Sequence, residues 1–322
     1  MKLLTYCIPT YNRANYLSVS LESLIKSIEF AKANDLVEII ICDNNSTDHT
    51  SEVVNSFSSD TISIKYYRND TNTGAMKNFY KLVNLAETPY VCLFGDDDYI
   101  EPQATTEFLA YVKLEYDLII SDFSTWNREL TKKLKSSYFN LKIEKKLNSK
   151  NDILSALSVQ LGYISIICFK KKLFSKLSYE AYLEEEKYGF SHLLALYFGL
   201  EINSKAIVLN KSLVRNRSGN SNDYNWENYF IKGTSSIFNQ LQSIGYSHLS
   251  VLKAKNWLIK NYLIYYIVGC KRLKQKSNLK LIRLIINHYY LCYRFWLFAL
   301  PILLTPQFLF NFYFKLKKRL TS

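Results

Sequence analysis

Residues 3–121 repeat one pattern: a short apolar run, a polar cluster, then apolar residues at helical spacing. The apolar runs are 3–8, 37–42, 62–67, 90–94 and 118–121. Between the first two, Leu17, Leu21, Leu24, Ile25 and Ile28 recur three and four apart, as one helix face requires. Ser46-Thr47-Asp48 offers a cap for a second helix. Gly74 opens a third, with Met76, Phe79, Leu82, Val83 and Ala86 on one side, and a fourth covers 107–114. Parallel strands need a crossover, usually a helix, and the crossover is right-handed. The pattern therefore predicts an α/β chain: an open, mostly parallel sheet flanked by helices.

Beyond Asp122 the pattern weakens. Residues 131–150 read as a basic, polar, mobile excursion near the active face, 163–169 as a strand, 191–200 as a helix and 206–214 as a strand. Everything from 225 onward reads as helical. The polar stretch 217–223 suggests domains 1–222 and 223–322.

In a parallel sheet the loops after successive strands emerge at one edge, where α/β proteins bind ligands. Four polar clusters fall there: Pro9-Thr10-Tyr11-Asn12-Arg13, Asp43-Asn44-Asn45-Ser46, Asn72-Thr73-Gly74 and Gly95-Asp96-Asp97-Asp98. Three adjacent carboxylates repel and are relieved by water, basic side chains or a cation. Mg²⁺ and Mn²⁺ favour such oxygens, often shared with phosphate. The triplet reads either as that site or as a solvated turn capping the helix near Pro102. Tyr11 suits stacking on a base, Asp43 or Asn44 pairing with base or ribose, and Arg13 countering phosphate. Gly74 permits close backbone approach at a helix start, where N–H groups favour anions. Singly, each cluster reads equally as a plain loop; jointly they suit a sugar nucleotide.

Charge separates the two halves. The formal net charge is +13, yet no Asp or Glu follows Glu227. Residues 228–322 hold 15 of the 41 Lys and Arg, leaving 26 against 28 acids in the first 227. A basic tail points to nucleic acid or an anionic membrane. The interleaving residues are aliphatic and aromatic, as in Leu279-Lys280-Leu281-Ile282-Arg283, and 295–314 carries no charge before the Lys/Arg cluster at 315–319. That is membrane-interface chemistry and not a nucleic-acid motif. Pro301 and Pro306 favour a helix lying in the interface over one spanning it. The opening Met1-Lys2-Leu3-Leu4 runs directly into a strand, so no secretory leader is expected. The six Cys show no zinc spacing, and a reducing, cytoplasmic setting fits.

Ile8-Pro9-Thr10-Tyr11-Asn12-Arg13, Cys42-Asp43-Asn44-Asn45-Ser46-Thr47-Asp48, Asn72-Thr73-Gly74 with Asn78, and Gly95-Asp96-Asp97-Asp98 together resemble glycosyltransferase family 2, of bacterial surface-polysaccharide type. The resemblance covers about residues 3–122 and implies the GT-A fold, with a helical region following. It implies an inverting transferase that uses a nucleotide-diphosphate sugar donor, Mg²⁺ or Mn²⁺, and a glycan acceptor. On that likeness Pro9, Tyr11, Arg13, Asp43 and Asn44 line the nucleoside site. Asn72, Gly74, Asn78 and Asp97 join the donor-binding set, and Asp96 and Asp98 match the family's DxD pair, hence the metal ligands. At Asn44 many members carry a second acid, so the base identity stays open.

Glycosyl transfer also needs a base for the acceptor hydroxyl. The family's Glu-Asp motif is missing; Glu184-Glu185-Glu186 and His192 stand in its region, making His192 and Glu186 the catalytic candidates. The basic tail implies a lipid-linked acceptor and attachment to the inner face of the cell membrane. Two other functions remain: a non-catalytic sugar-nucleotide-binding subunit, and a nucleotidyltransferase. The latter would usually show a Gly-rich basic loop where Pro9-Thr10-Tyr11 stands.

Overall fold

The computed structural model describes residues 1–57, 62–219, 227–272 and 279–311. The chain divides into two compact units, Met1–Ile153 with Gln160–Asp223, and Leu154–Val159 with Tyr224–Ser322. The expected boundary segment, from residue 220 on, and the basic cluster at 315–319 lie outside the described residues.

The first unit is built on ten strands: β1 (Leu4–Thr10), β2 (Val37–Asp43), β3 (Ser63–Arg68), β4 (Tyr90–Leu93), β5 (Tyr99–Ile100), β6 (Leu118–Trp126), β7 (Lys133–Lys135), β8 (Lys145–Leu147), β9 (Ile167–Lys170) and β10 (Ala206–Arg217). Its helices include α1 (Ala14–Phe30), α2 (Thr50–Ser56), α3 (Ala75–Leu85) and α4 (Ala104–Lys113). Next come α5 (Lys150–Leu157), whose last residues belong to the second unit, α6 (Lys171–Phe174), α7 (Tyr179–Glu184) and α8 (Ser191–Gly199). The sheet order is β3-β2-β1-β4-β9-β6-β10-β5. Strands β1 to β4 pair in parallel, as the alternation predicts. Every residue of β1, β2 and β4 is buried, because helices cover both sheet faces. On α1, Leu17, Leu21, Leu24 and Ile28 enter that core. Each such side chain contributes about 1.5–3 kcal/mol.

The structure departs from the expected parallel order in the middle. Strand β9 inserts antiparallel between β4 and β6. The strand expected at 163–169 begins only at Ile167, because 160–166 coils into two short 3₁₀ turns. Those turns let Ser165 meet the acidic loop, where its Oγ accepts from Gly95 N at 2.9 Å. Helix α2 starts at Thr50 because Asp48 Oδ1 receives Thr50 N at 3.1 Å. The excursion at 131–150 carries β7 and β8 and is fastened by Asp122, whose Oδ1 accepts from Tyr138 N at 2.8 Å and Phe139 N at 3.0 Å.

The second unit is helical in its described part. It includes α9 (Thr234–Ser243), α10 (His248–Leu258), α11 (Ile264–Arg272), α12 (Leu279–Tyr289) and α13 (Leu300–Leu304). A π-helical turn, Ile259–Leu263, joins α10 to α11, and another, Phe295–Ala299, leads into α13. Phe238, Leu241, Leu258, Ile285, Tyr289 and Phe295 are fully buried. No helix among the described residues is long and apolar enough to cross a membrane.

Candidate functional site

The ends of β1, β2 and β3 lie level, with Thr10 beside Asp43 and Asp43 beside Arg68. The first loop turns at Asn12, whose φ of 53° is tolerable for a short amide side chain. Asn12 Oδ1 accepts from Thr47 N at 2.7 Å, and Asn12 N donates to Ser46 Oγ at 2.9 Å. Asp48 Oδ2 receives Ala14 N at 3.0 Å, so one carboxylate caps α1 as well as α2. This turn carries Arg13 across the edge. Its Nη1 donates to Asp96 Oδ1 at 3.1 Å and to Asp97 Oδ2 at 2.9 Å. Tyr11 stands 43% exposed on the same turn, whereas Pro9 is buried within β1.

Asp43 and Asn44 are both occupied inside the protein. Asp43 accepts from Ser46 N at 2.8 Å, Ser46 Oγ at 2.6 Å and Tyr66 Oη at 2.6 Å. Asn44 Oδ1 accepts from Thr73 N at 2.9 Å and Asn69 Nδ2 at 2.9 Å, while its Nδ2 donates to Asn72 Oδ1 at 2.7 Å. Asn78 Nδ2 donates to Cys42 O at 2.9 Å and its Oδ1 accepts from Asn69 at 3.0 Å. These amides tie the third loop to the end of β2. Gly74 there has φ 86° and ψ 156°, a combination essentially reserved to glycine.

The three aspartates are not equivalent. Asp98 is 3% exposed. Its Oδ2 accepts from Tyr163 Oη at 2.7 Å and Ser165 Oγ at 2.5 Å, and its Oδ1 from Arg217 N at 3.2 Å. Burial, then the neighbouring Asp97 charge, pushes its carboxyl up to about 7. Burial likewise lifts Asp96 to about 6 against the pull of Arg13. Asp96 and Asp97 turn to the Arg13 side, with side chains 8% and 19% exposed. Arg217 Nε donates to Asp97 O at 2.7 Å, and its guanidinium lies 4.8 Å over the Tyr16 ring. Arg215 is paired with Glu101 through two bonds of 2.7 and 2.9 Å.

Among the described residues no group of three or more His, Cys, Asp or Glu side chains could by itself hold a metal ion. Two carboxylates with the remaining positions left to phosphate and water are what Mg²⁺ commonly takes. Asp96 and Asp97 are the two carboxylates brought together here, and both pair with the Arg13 guanidinium.

The two base candidates differ sharply. His192 is 3% exposed, its Nε2 lies 3.1 Å from Gly162 O, and its ring packs edge-on against Phe79 at 5.6 Å. Burial lowers it to about 4, so the imidazole is neutral at ordinary pH. Glu186 faces the third loop. Its Oε1 lies 3.1 Å from where a Cβ on Gly74 would sit, and its Oε2 is 3.6 Å from Lys77 Nζ. Its side chain is 32% exposed.

The family model for glycosyl transferase family 2 matches residues 5–178. The chain belongs to that family. Its relatives include abequosyltransferase RfbV of Salmonella typhimurium, 36% identical over 122 residues. That match spans 37% of this chain and only 35% of the relative's length. An uncharacterized glycosyltransferase of Mycoplasma genitalium, MG060, is 26% identical over 79% of this chain and 84% of its own. A Campylobacter jejuni relative named GalNAc(5)-diNAcBac-PP-undecaprenol beta-1,3-glucosyltransferase is 37% identical over 30% of each chain. Among solved structures, S. aureus TarS 1–349 superimposes with TM-score 0.61 at 16% identity, covering 89% of this chain and 79% of that one. The fold is thus the GT-A-like sheet of these neighbours.

Several residues that build this site escape the sequence reading. Ser20, Ser23 and Ser27 stripe the buried side of α1. Ser20 Oγ donates to Gly95 O at 3.0 Å, Ser23 Oγ accepts from Ile100 N at 3.1 Å, and Ser27 Oγ accepts from Thr105 N at 3.1 Å. Their spacing of three and four on an otherwise apolar face is a legible signal of buried polar partners. Tyr163 and Ser165, which hold Asp98, lie 65 and 67 residues away and leave no local trace.

Proposed function

We propose that the chain transfers a sugar, with inversion, from a nucleoside diphosphate sugar to an acceptor hydroxyl. The observation that carries this reading is the Arg13 bridge to Asp96 and Asp97, at the sheet edge shared with the Asn72-Thr73-Gly74 loop. Tyr11 offers an exposed ring for the base, and Arg13 a cation for phosphate. Asp43, Asn44, Asn72 and Asn78 act through the shape they give the loops. A divalent cation, when held by Asp96 and Asp97, would neutralise charge developing on the leaving diphosphate. Asp98, a metal ligand on the family likeness, is here assigned the role of anchoring the acidic loop, on the support of its three donors.

Glu186 is the proposed base, because it is ionisable and reaches the edge beside Gly74, whereas His192 is sealed inside. The acceptor oxygen bonds to the anomeric carbon, its proton passes to Glu186, and the nucleoside diphosphate leaves with the C–O bonding pair. Binding of UDP and UDP-GlcNAc by TarS supports a nucleotide-sugar donor, and PcManGT of Pyrobaculum calidifontis, solved with GDP-Man and Mn²⁺, supports the cation. The Campylobacter relative's named activity supports a lipid-linked glycan acceptor, which would be met at the inner membrane face.

The test is a panel of UDP-, GDP-, dTDP- and CDP-sugars with Mg²⁺ or Mn²⁺, read by thermal stabilisation and nucleoside diphosphate release. One base class should stabilise the chain and release its diphosphate. Binding without release, even with lipid-linked acceptors supplied, would favour a non-catalytic subunit; no binding at all would end the reading.

A further inference from the structure

Residues 290–309 of the second unit are apolar on both sides. Inward, Cys292, Phe295, Ala299 and Leu303 are at most 5% exposed. Outward, Tyr293, Trp296, Leu297, Leu304 and Phe308 are 51–70% exposed. Tyr290, Leu291 and Phe298 are exposed to a similar degree, so the outward side chains form one apolar cluster over the helical stretches 293–304 and 307–311. A helix on a water-facing surface normally carries polar residues there. Arg294 is the one charged residue in the segment, and it turns to the helix neighbours: its N and Nη1 donate to Asn256 Oδ1 and Asn256 O at 3.1 and 3.2 Å. Apolar side chains exposed together in this way mark an interaction surface.

Charge selects the partner. From residue 228 the chain holds 15 Lys and Arg and no acid. Lys253, Lys260, Arg272 and Arg283 are exposed in the described part. A second copy of the chain would bring the same positive excess to the contact, so self-pairing is opposed. An anionic lipid surface accepts both features. Trp, Tyr, Leu and Phe enter the boundary between headgroups and acyl chains, and the cations meet phosphate. Pro301 and Pro306 and the lack of a spanning helix among the described residues favour a segment lying along the surface.

We propose that the outward apolar side chains of residues 290–309 seat the second unit on an anionic bilayer, the segment lying along its surface. This rests on the second unit alone and stands whether or not the transfer reading holds.

The test uses the full chain with vesicles of phosphatidylcholine, alone or with 30% phosphatidylglycerol, by co-sedimentation. The chain should bind the anionic vesicles and detach as salt rises. Leu297→Ser with Leu304→Ser should weaken binding at least tenfold. Both side chains are more than 60% exposed, so the melting temperature should stay within about a degree. Brominated lipids should quench tryptophan emission, and Trp296→Phe should remove most of that quenching, a readout independent of the double variant. Three results overturn the proposal: equal binding to neutral vesicles, unaltered binding of the double variant, or quenching that persists in Trp296→Phe. A cluster that mediates self-association without vesicle binding, or that is covered by another part of the chain, would also overturn it by leaving the protein unbound.

Discussion

Replacing Asp98 by Asn tests whether that carboxyl anchors the acidic loop or binds the cation. In the free protein Asp98 moves from the ordinary 3.8 to about 7, chiefly through burial and then through Asp97. The folded state therefore keeps its proton to higher pH than the unfolded chain does. Stability is unaffected below about pH 4, falls as pH rises towards 7, and is level above that. If Asp98 acted alone, the fall would be on the order of 4 kcal/mol, because each pH unit of displacement is worth about 1.4 kcal/mol. Asn carries no charge at any pH. Its carbonyl can accept from Arg217 N, and its NH₂ can donate to the Tyr163 and Ser165 hydroxyls, whose protons rotate freely.

Melting in EDTA should thus give matching curves for wild type and Asp98→Asn near pH 4. By pH 8 the variant should melt higher, by at most roughly 8–16 °C if a unit of this size shifts about 2–4 °C per kcal/mol. Asp98→Ala orphans three donors, each costing about 1–3 kcal/mol, and should be destabilised at every pH. With Mg²⁺ and a donor nucleotide, Asp98→Asn should retain nucleotide stabilisation. An offset independent of pH, or loss of nucleotide stabilisation in Asp98→Asn with the fold intact, would refute the anchoring role.

Three further outcomes are expected. Glu186→Gln should lower kcat by about 10²–10⁴-fold with donor affinity kept, whereas His192→Phe should leave kcat within a few fold, both read by steady-state kinetics. Gly74→Ala should cost about 1–3 kcal/mol in melting experiments, since φ 86° with ψ 156° excludes a Cβ that would also press on Glu186 Oε1 at 3.1 Å; an unchanged melting curve would show that the loop relaxes freely. Mg²⁺ or Mn²⁺ should raise nucleoside diphosphate affinity, EDTA should reverse this, and Asp97→Asn should abolish it, as read by calorimetric titration.

What was legible in the sequence was local. Strands β1 to β4 and the helices between them follow from runs and periodicities of four to seventeen residues, which neighbours in sequence impose on one another. Their parallel pairing then brings the clusters to one edge without further information. Strand β9 was less legible because four residues reach an antiparallel slot from far along the chain, and its periodicity cannot state direction. The division of labour among Asp96, Asp97 and Asp98 was not legible at all, since three identical residues in a row have identical sequence signals. Their environments separate them. Arg13 reaches Asp96 and Asp97 from 83 and 84 residues away, while Tyr163, Ser165 and Arg217 close on Asp98 from 65, 67 and 119 away. Adjacent identical acids look alike in sequence; the long-range donors give each of them a different partner. The same reasoning applies to Asn44, whose amide faces three side chains and a backbone N–H that only the folded third loop supplies. Polar residues with no charge of their own, Ser20 on α1 foremost, fix the acidic loop from beneath, and so part of the site's geometry resides in a helix whose sequence reads as ordinary core.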